Sequence, residues 1–294
     1  MKTHINILIS FGLITLMSLP SCKKKKLEED TKEANTVVSQ TNAKMENIFD
    51  DLYDQIDQAA DQEEDLNKLE IGTWKHITSA CATVTLDPVG PDFPKTLTVD
   101  YGSNCTGADG KVRSGQIVCT FSGPYNQAGT VINATLVNYE VDQYAVEGSK
   151  TVTNQGTNGQ GQPYFSVVVA DVVVSWDGYQ VNWESSRTRT WTEGYDTGFW
   201  TWDSTANTIM GFNGITDDRY ELTGSASGTG VNGITYSLSI TSPLTWGWDC
   251  WWIKQGTISI VPGGWDGATV DFGNGTCDND ATLTVNGNTY DIQM

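Results

Sequence analysis

The sequence predicts an all-β domain preceded by one amphipathic helix, and three observations carry that prediction. Beyond Gly72, β-branched and aromatic residues dominate and alternate with a period of two, the repeat of a half-buried strand. Gly, Asn and Asp interrupt these runs at hairpin spacing. No helical pattern long enough to serve as a crossover separates them, so successive strands must pair antiparallel, as a sandwich, an open barrel or an extended meander.

Taken from the amino terminus, residues 1–21 read as a secretory signal peptide. Lys2 gives a basic start, Ile5 to Met17 an apolar core, and Ser21 a small residue before the cut. That core is too short to span about 30 Å of hydrocarbon, and no later apolar segment is long enough either. With Cys22 next, Leu19-Pro20-Ser21-Cys22 resembles the lipobox of bacterial lipoproteins, which implies cleavage after Ser21 and acylation of Cys22. Lys23 to Lys26 followed by Leu27-Glu28-Glu29-Asp30 resembles the export signal of Bacteroidota surface lipoproteins. The chain as a whole looks like the β-rich lipoproteins of that phylum. The resemblance implies an outer-membrane protein, lipid-anchored and facing the cell exterior, whose membrane partner is reached through N-terminal acyl chains.

Residues 22–40 are polar, with too few bulky apolar groups to offset the entropy of ordering, and read as an acylated flexible tether. Over 41–70, Met45, Ile48, Phe49, Leu52, Tyr53 and Ile56 recur at spacings of three and four, the stripe of an amphipathic helix. Its other faces carry Glu46, Asp50, Asp51, Asp54 and Asp57, so the helix is acidic and either docks on the next domain or stands as a stalk. Residues 71–294 form the all-β domain. Alternation predicts strands over 73–86, 96–102, 115–122, 130–147, 164–175, 179–193, 198–203, 219–226, 233–241, 252–261, 267–272, 281–285 and 288–293. The Gly/Asn/Gln run near 154–163 reads as a long loop or a boundary between two halves.

The two ends of this domain look alike. Cys81 precedes a strand, then Val99-Asp100-Tyr101-Gly102 and Cys105; Cys250 precedes a strand, then Val270-Asp271-Phe272-Gly273 and Cys277. The repeat favours disulfides Cys81–Cys105 and Cys250–Cys277, in an export compartment where such bonds persist. Cys119, in phase with Ile117 and Phe121, reads as a buried thiol.

Composition excludes several functions. A formal charge of −19, or −20 once Lys2 leaves with the signal, repels polyanions, and no basic stripe exists to bind nucleic acid. Only His4 and His76 occur, neither Gly-x-Ser-x-Gly nor a phosphate-binding loop is present, and no Cys-x-x-Cys pair suits a metal. Glu184 and Glu193 are nine positions apart in one strand and point to opposite faces, so they make poor acid/base partners. Asp217-Asp218 and Cys277-Asp278-Asn279-Asp280 depart from the spacing of a calcium loop and read as turn caps. The expectation is a non-enzymatic protein with no cofactor and no metal.

Tryptophan remains. Ten of the 11 tryptophans fall between Trp176 and Trp265. On the strand 179–193, one face carries Tyr179, Val181, Trp183, Ser185, Arg187, Arg189 and Trp191, while the opposite face is wholly polar. Phe199-Trp200-Thr201-Trp202 adds a second aromatic ribbon. Such residues either fill a β core short of leucine and methionine or lie flat on a rigid surface, as sugar faces and protein partners require. The candidate ligand-binding residues are therefore Trp183, Arg187, Arg189, Trp191, Trp200 and Trp202. The expected ligand is an extracellular glycan or related polymer. The alternative is a structural or assembly component that pairs with an outer-membrane protein complex.

Overall fold

The computed structural model describes residues 20–66, 81–107, 109–124, 127–195, 201–203, 208–211, 217–247 and 249–294. His76 lies outside them. Among the described residues one helix, α1 (Pro20–Leu66), precedes sixteen strands. These are β1 (Thr83–Asp87), β2 (Lys95–Asp100), β3 (Cys105–Thr106), β4 (Val112–Phe121), β5 (Val131–Val141) and β6 (Tyr144–Thr157). They continue as β7 (Pro163–Trp176), β8 (Tyr179–Glu193), β9 (Thr201–Asp203), β10 (Thr208–Gly211) and β11 (Arg219–Thr229). The last five are β12 (Thr235–Gly247), β13 (Cys250–Pro262), β14 (Ala268–Asn274), β15 (Asp280–Val285) and β16 (Asn288–Gln293).

All pair antiparallel. Fourteen strands form one open meander from β1 to β16, with β3 beside β4, while β9 and β10 make a separate hairpin between β8 and β11. The predicted strand 130–147 is two strands, because Asp142 adopts a left-handed φ of 54° and turns the chain from β5 into β6. The predicted boundary near 154–163 is a hairpin instead. β6 runs on to pair Thr157 with Pro163, and Asn158 closes the turn by accepting the N–H groups of Gln160 and Gln162. The sheet crosses that point without a break.

The helix is longer and more deeply placed than the sequence predicts. The span 22–40, expected to be a flexible tether, is helical throughout, and Thr31, Ala34, Asn35, Val38 and Ser39 are buried. Composition misleads here because small polar side chains satisfy themselves within the helix. Thr31 Oγ1 donates to Leu27 O, Asn35 Nδ2 to Thr31 O and Thr41 Oγ1 to Val37 O, so burial leaves few groups orphaned. Among the described side chains from Thr31 to Ile56, only Glu33, Gln40 and Asn47 are exposed, one narrow stripe at seven-residue spacing.

The sheet coils around the remaining faces. Its contacts spread along the length of α1. Asn35 Nδ2 donates to Asp266 O in the β13–β14 turn, Gln40 to Gln293 O on β16, Lys150 of β6 to Phe49 O, and Tyr101 after β2 to Gln55. From Asn35 to Gln55 is about 30 Å of helix, the stagger of a tilted, barrel-like sheet that stays open. Met45, Phe49, Leu52 and Ile56 meet Val99, Ile117, Val174, Ile260, Val270 and Leu283 in one core.

Register breaks bend the sheet this far. In β4 the pairing shifts between Ser114 and Gln116, and in β11 between Leu222 and Ser225. Gly115 and Gly224 sit in those breaks with φ of 75° and 124°; a Cβ there would stand 2.0 Å from Asn138 O and 2.1 Å from Ser186 O. Only glycine fits.

Both predicted disulfides are present, Cys81–Cys105 and Cys250–Cys277, and Cys119 is a buried free thiol. The sequence repeat is also a structural one. Val99 and Val270 are fully buried, and the Asp100 and Asp271 carboxylates each accept the N–H of the glycine two residues on, Gly102 and Gly273. Both glycines are left-handed. The N–H of Gly102 and the amide of Gln116 hold the Asp100 carboxyl below the usual carboxylate range.

Candidate functional site

The inward face of β8 is the one that alternation predicts: Val181, Trp183, Ser185, Arg187 and Arg189 are buried and Trp191 is half-buried, while Gln180, Asn182, Glu184, Ser186 and Thr188 are exposed. What covers that face is the helix. Trp183, 1% exposed, donates its indole N–H to Asn42 Oδ1 at 3.0 Å and packs against Phe49 with ring centroids 5.3 Å apart. Arg187 pairs with Glu46. Trp183 and Arg187 are thus a seat for α1 and not an open ligand surface, which corrects their expected role.

The seat is electrostatic as well as apolar. A chain of net charge −19 buries Arg113, Lys150, Arg187 and Arg189 on the inner face of its sheet, and α1 supplies Glu46, Asp50 and Asp51 against them. Arg113 Nη2 lies 2.5 Å from Asp51 Oδ1 and 2.6 Å from Asp109 Oδ2, and Lys111 Nζ lies 2.9 Å from Asp51 Oδ1. Two cations meet two anions, so the cluster is neutral. Burial alone would raise the Asp109 carboxyl, but hydrogen bonding and attraction from Arg113 hold it below the usual carboxylate range. Asp50 goes the other way. Burial pushes its carboxyl up to about 6 against the pull of Lys150, Arg189 and Arg187, with Glu46 adding repulsion.

At the end of β8 farthest from the amino terminus of α1 the surroundings change. Trp183 and Arg187 lie opposite helix residues 42 and 46, so β8 and α1 run the same way, and Trp191 lies beyond, toward the carboxyl end of α1. There Trp191, Tyr220 and Trp246 from three adjacent strands form a ladder, with centroids 5.6 and 5.4 Å apart and planes inclined by 31° at each step. Arg189 lies over the Tyr220 ring at 4.0 Å and over Phe165 at 5.8 Å, a cation stacked between aromatics. The Tyr220 hydroxyl donates to Asp218 Oδ2 at 3.1 Å.

Trp191 and Trp246 are both half-buried, and among the described residues the Trp191 indole N–H has no hydrogen-bond partner. One residue before Tyr220 in β11, Arg219 reaches the Asp249 carboxylate at 3.1 Å, and Lys254 of β13 reaches the same carboxylate at 3.0 Å. Slight burial favours the neutral acid there, but the two cations outweigh it and hold Asp249 below the usual carboxylate range.

Of the six predicted ligand-binding residues, the structure brings Arg189 and Trp191 to this ladder and Trp183 and Arg187 to the helix seat. Trp202 stands opposite Ile209 in the β9–β10 hairpin, and Trp200 lies outside the described residues. Tyr220 escapes sequence reasoning, because Arg219-Tyr220-Glu221-Leu222 looks like any alternating strand. Asn42 and Glu46 escape it because they lie off the apolar stripe of the helix, and the sequence does not say what the other faces meet. Among the described residues, no group of three or more His, Cys, Asp or Glu is arranged to hold a metal. No described helix is long and apolar enough to cross a membrane.

No family model matches this chain, no curated protein resembles it closely enough to register, and no solved structure shares its fold at that standard.

Proposed function

We propose that the protein is a lipid-anchored cell-envelope protein without catalytic activity. Acyl chains on Cys22 hold it at the outer membrane, facing outward, and the end of the sheet remote from Cys22 binds an extracellular glycan or related polymer. The observation that supports this reading is the Trp191–Tyr220–Trp246 ladder, two of whose rings are half-open, at the strand end that also carries the ion pairs of Arg219 and Lys254 with Asp249. Aromatic faces on a rigid sheet match the apolar faces of sugar rings, and flanking charges and amides match hydroxyls. Trp183, Arg187 and Arg189 serve by fixing α1 and Tyr220 beneath that surface. The test is a glycan array followed by titration of tryptophan emission. Binding is expected to be lost in Trp191→Ala and Trp246→Ala and kept in Trp183→Phe; equal binding by all three variants contradicts the reading.

One observation favours a second reading, an assembly component of an outer-membrane protein complex. Among the described strands β1 ends the sheet, carries exposed residues on both faces, and presents an edge that none of them covers. Such edges accept a strand from another chain. Co-purification of a stoichiometric partner that is lost in Val84→Lys would support it.

A further inference from the structure

The end of the sheet nearest Cys22 has a chemistry of its own. The β11–β12 turn, the β13–β14 turn and the β15–β16 turn gather around the amino-terminal part of α1. A Cβ on Gly230 would stand 3.1 Å from Val38, Asp266 O accepts from Asn35, and Asn286 donates to Asp266. Between α1 and these turns runs an open groove of about 780 Å³, lined on one side by Leu27 and Thr31 and on the other by Tyr236, Val261, Pro262 and Trp265. Apolar side chains on its rim are accessible beside the exposed Asp266: Leu27 is 61% exposed, Val261 46% and, in the neighbouring turn, Val231 38%.

The standoff from Cys22 is short and rigid. Because the expected tether is helical, only nine residues separate Cys22 from Thr31, roughly 13 Å at 1.5 Å per residue. A headgroup layer is about 5–7 Å deep. Leu27 and Thr31 are one turn apart on the groove side of α1, so a tilt of the helix toward β13 lays Leu27, Val261 and Trp265 on the bilayer together. Trp at the interface and Val or Leu beside it are the groups that headgroup regions accommodate. Lys23 to Lys26 fall between the anchor and Leu27, where they meet anionic headgroups in a chain that otherwise repels them.

We infer that this end of the sheet docks on the lipid surface, with Trp265, Val261 and Leu27 in the headgroup layer, so that acylation at Cys22 fixes an orientation and turns the Trp191–Tyr220–Trp246 ladder away from the membrane. The inference rests on the anchored reading above, and the two are separable by experiment. The mature chain from Cys22 is coupled through that thiol to a maleimide lipid in phosphatidylcholine–phosphatidylglycerol vesicles with brominated acyl chains. Cys119 is buried and the other four cysteines are bonded, so coupling is selective and independent of native acylation.

Bromine is expected to quench part of the tryptophan emission. That part is lost in Trp265→Phe, sharply reduced in Val261→Asp, whose site is open enough to accept a charge without unfolding, and retained in Trp246→Phe. Quenching that is absent, or equal in wild type and Trp265→Phe, overturns the docking. Mass analysis of the amino-terminal peptide from native envelopes tests the anchor alone: acylated Cys22 upholds it and unmodified Cys22 overturns it.

Discussion

Replacing Asp51 by Asn tests whether the helix is the core of this fold. Arg113 is 1% exposed and Asp51 7%, and their charges are 2.5 Å apart. Asn keeps the volume and one acceptor, so no cavity forms; what changes is that Arg113 and Lys111 are left with Asp109 as their anion in the cluster. Removing one partner of a buried ion pair costs about 3–5 kcal/mol, a large share of the roughly 5–15 kcal/mol that holds a domain together. The double variant Asp51→Leu/Arg113→Met removes both charges at once and is expected to recover most of that loss, since the desolvation cost disappears with the attraction. Urea unfolding at pH 7 with the disulfides intact, followed by far-ultraviolet dichroism and by tryptophan emission, measures both. A shift of less than about 0.5 kcal/mol in Asp51→Asn is the size expected of a surface substitution and would refute the buried placement of α1.

Three further outcomes are expected. The raised Asp50 carboxyl makes the native state bind a proton that the unfolded chain, with an ordinary value of 3.8, releases, so stability should rise as pH falls from 7 toward 4 by about 2 kcal/mol. Asp109 and Asp249 lie below the ordinary value and act only below that window, so Asp50→Asn should flatten the rise in urea titrations between pH 7 and 4.5. Gly224→Ala should cost about 2 kcal/mol, because a methyl group strikes Ser186 O at a left-handed φ; an unchanged urea midpoint would count against the bulge. Burial pushes the Cys119 thiol up to about 12, so a thiol reagent at pH 8 should label it only after unfolding, as read by intact mass.

The local rules of the β domain are legible in the chain. Period-two alternation assigns the side chains of β8 from Gln180 to Arg189 to their faces correctly, though Tyr179 is exposed, and the twin Val-Asp-aromatic-Gly hairpins predict both disulfide pairings. Long-range electrostatics is not legible. Glu46, Asp50 and Asp51 read only as acidic faces of a helix because their partners Arg187, Lys150 and Arg113 are 60 or more residues away in sequence. The first half of α1 looks disordered by composition, since Thr31, Asn35 and Thr41 are polar; their burial follows from hydrogen bonds inside the helix and from a sheet that closes over them. For the same reason the aromatic face of β8 resembles a binding platform until the helix that covers it is in view. Only its last ring, Trp191, joins the ladder at the open end.

Hydrogen exchange along α1 tests the central claim most directly. If the helix is threaded through the coiled sheet, amides from Thr31 to Ile56 should exchange only when the whole domain opens, with the protection seen in β7 and β8. Exchange of those amides within seconds, while β7 and β8 stay protected, would mean that the helix stands outside the sheet and would contradict the account.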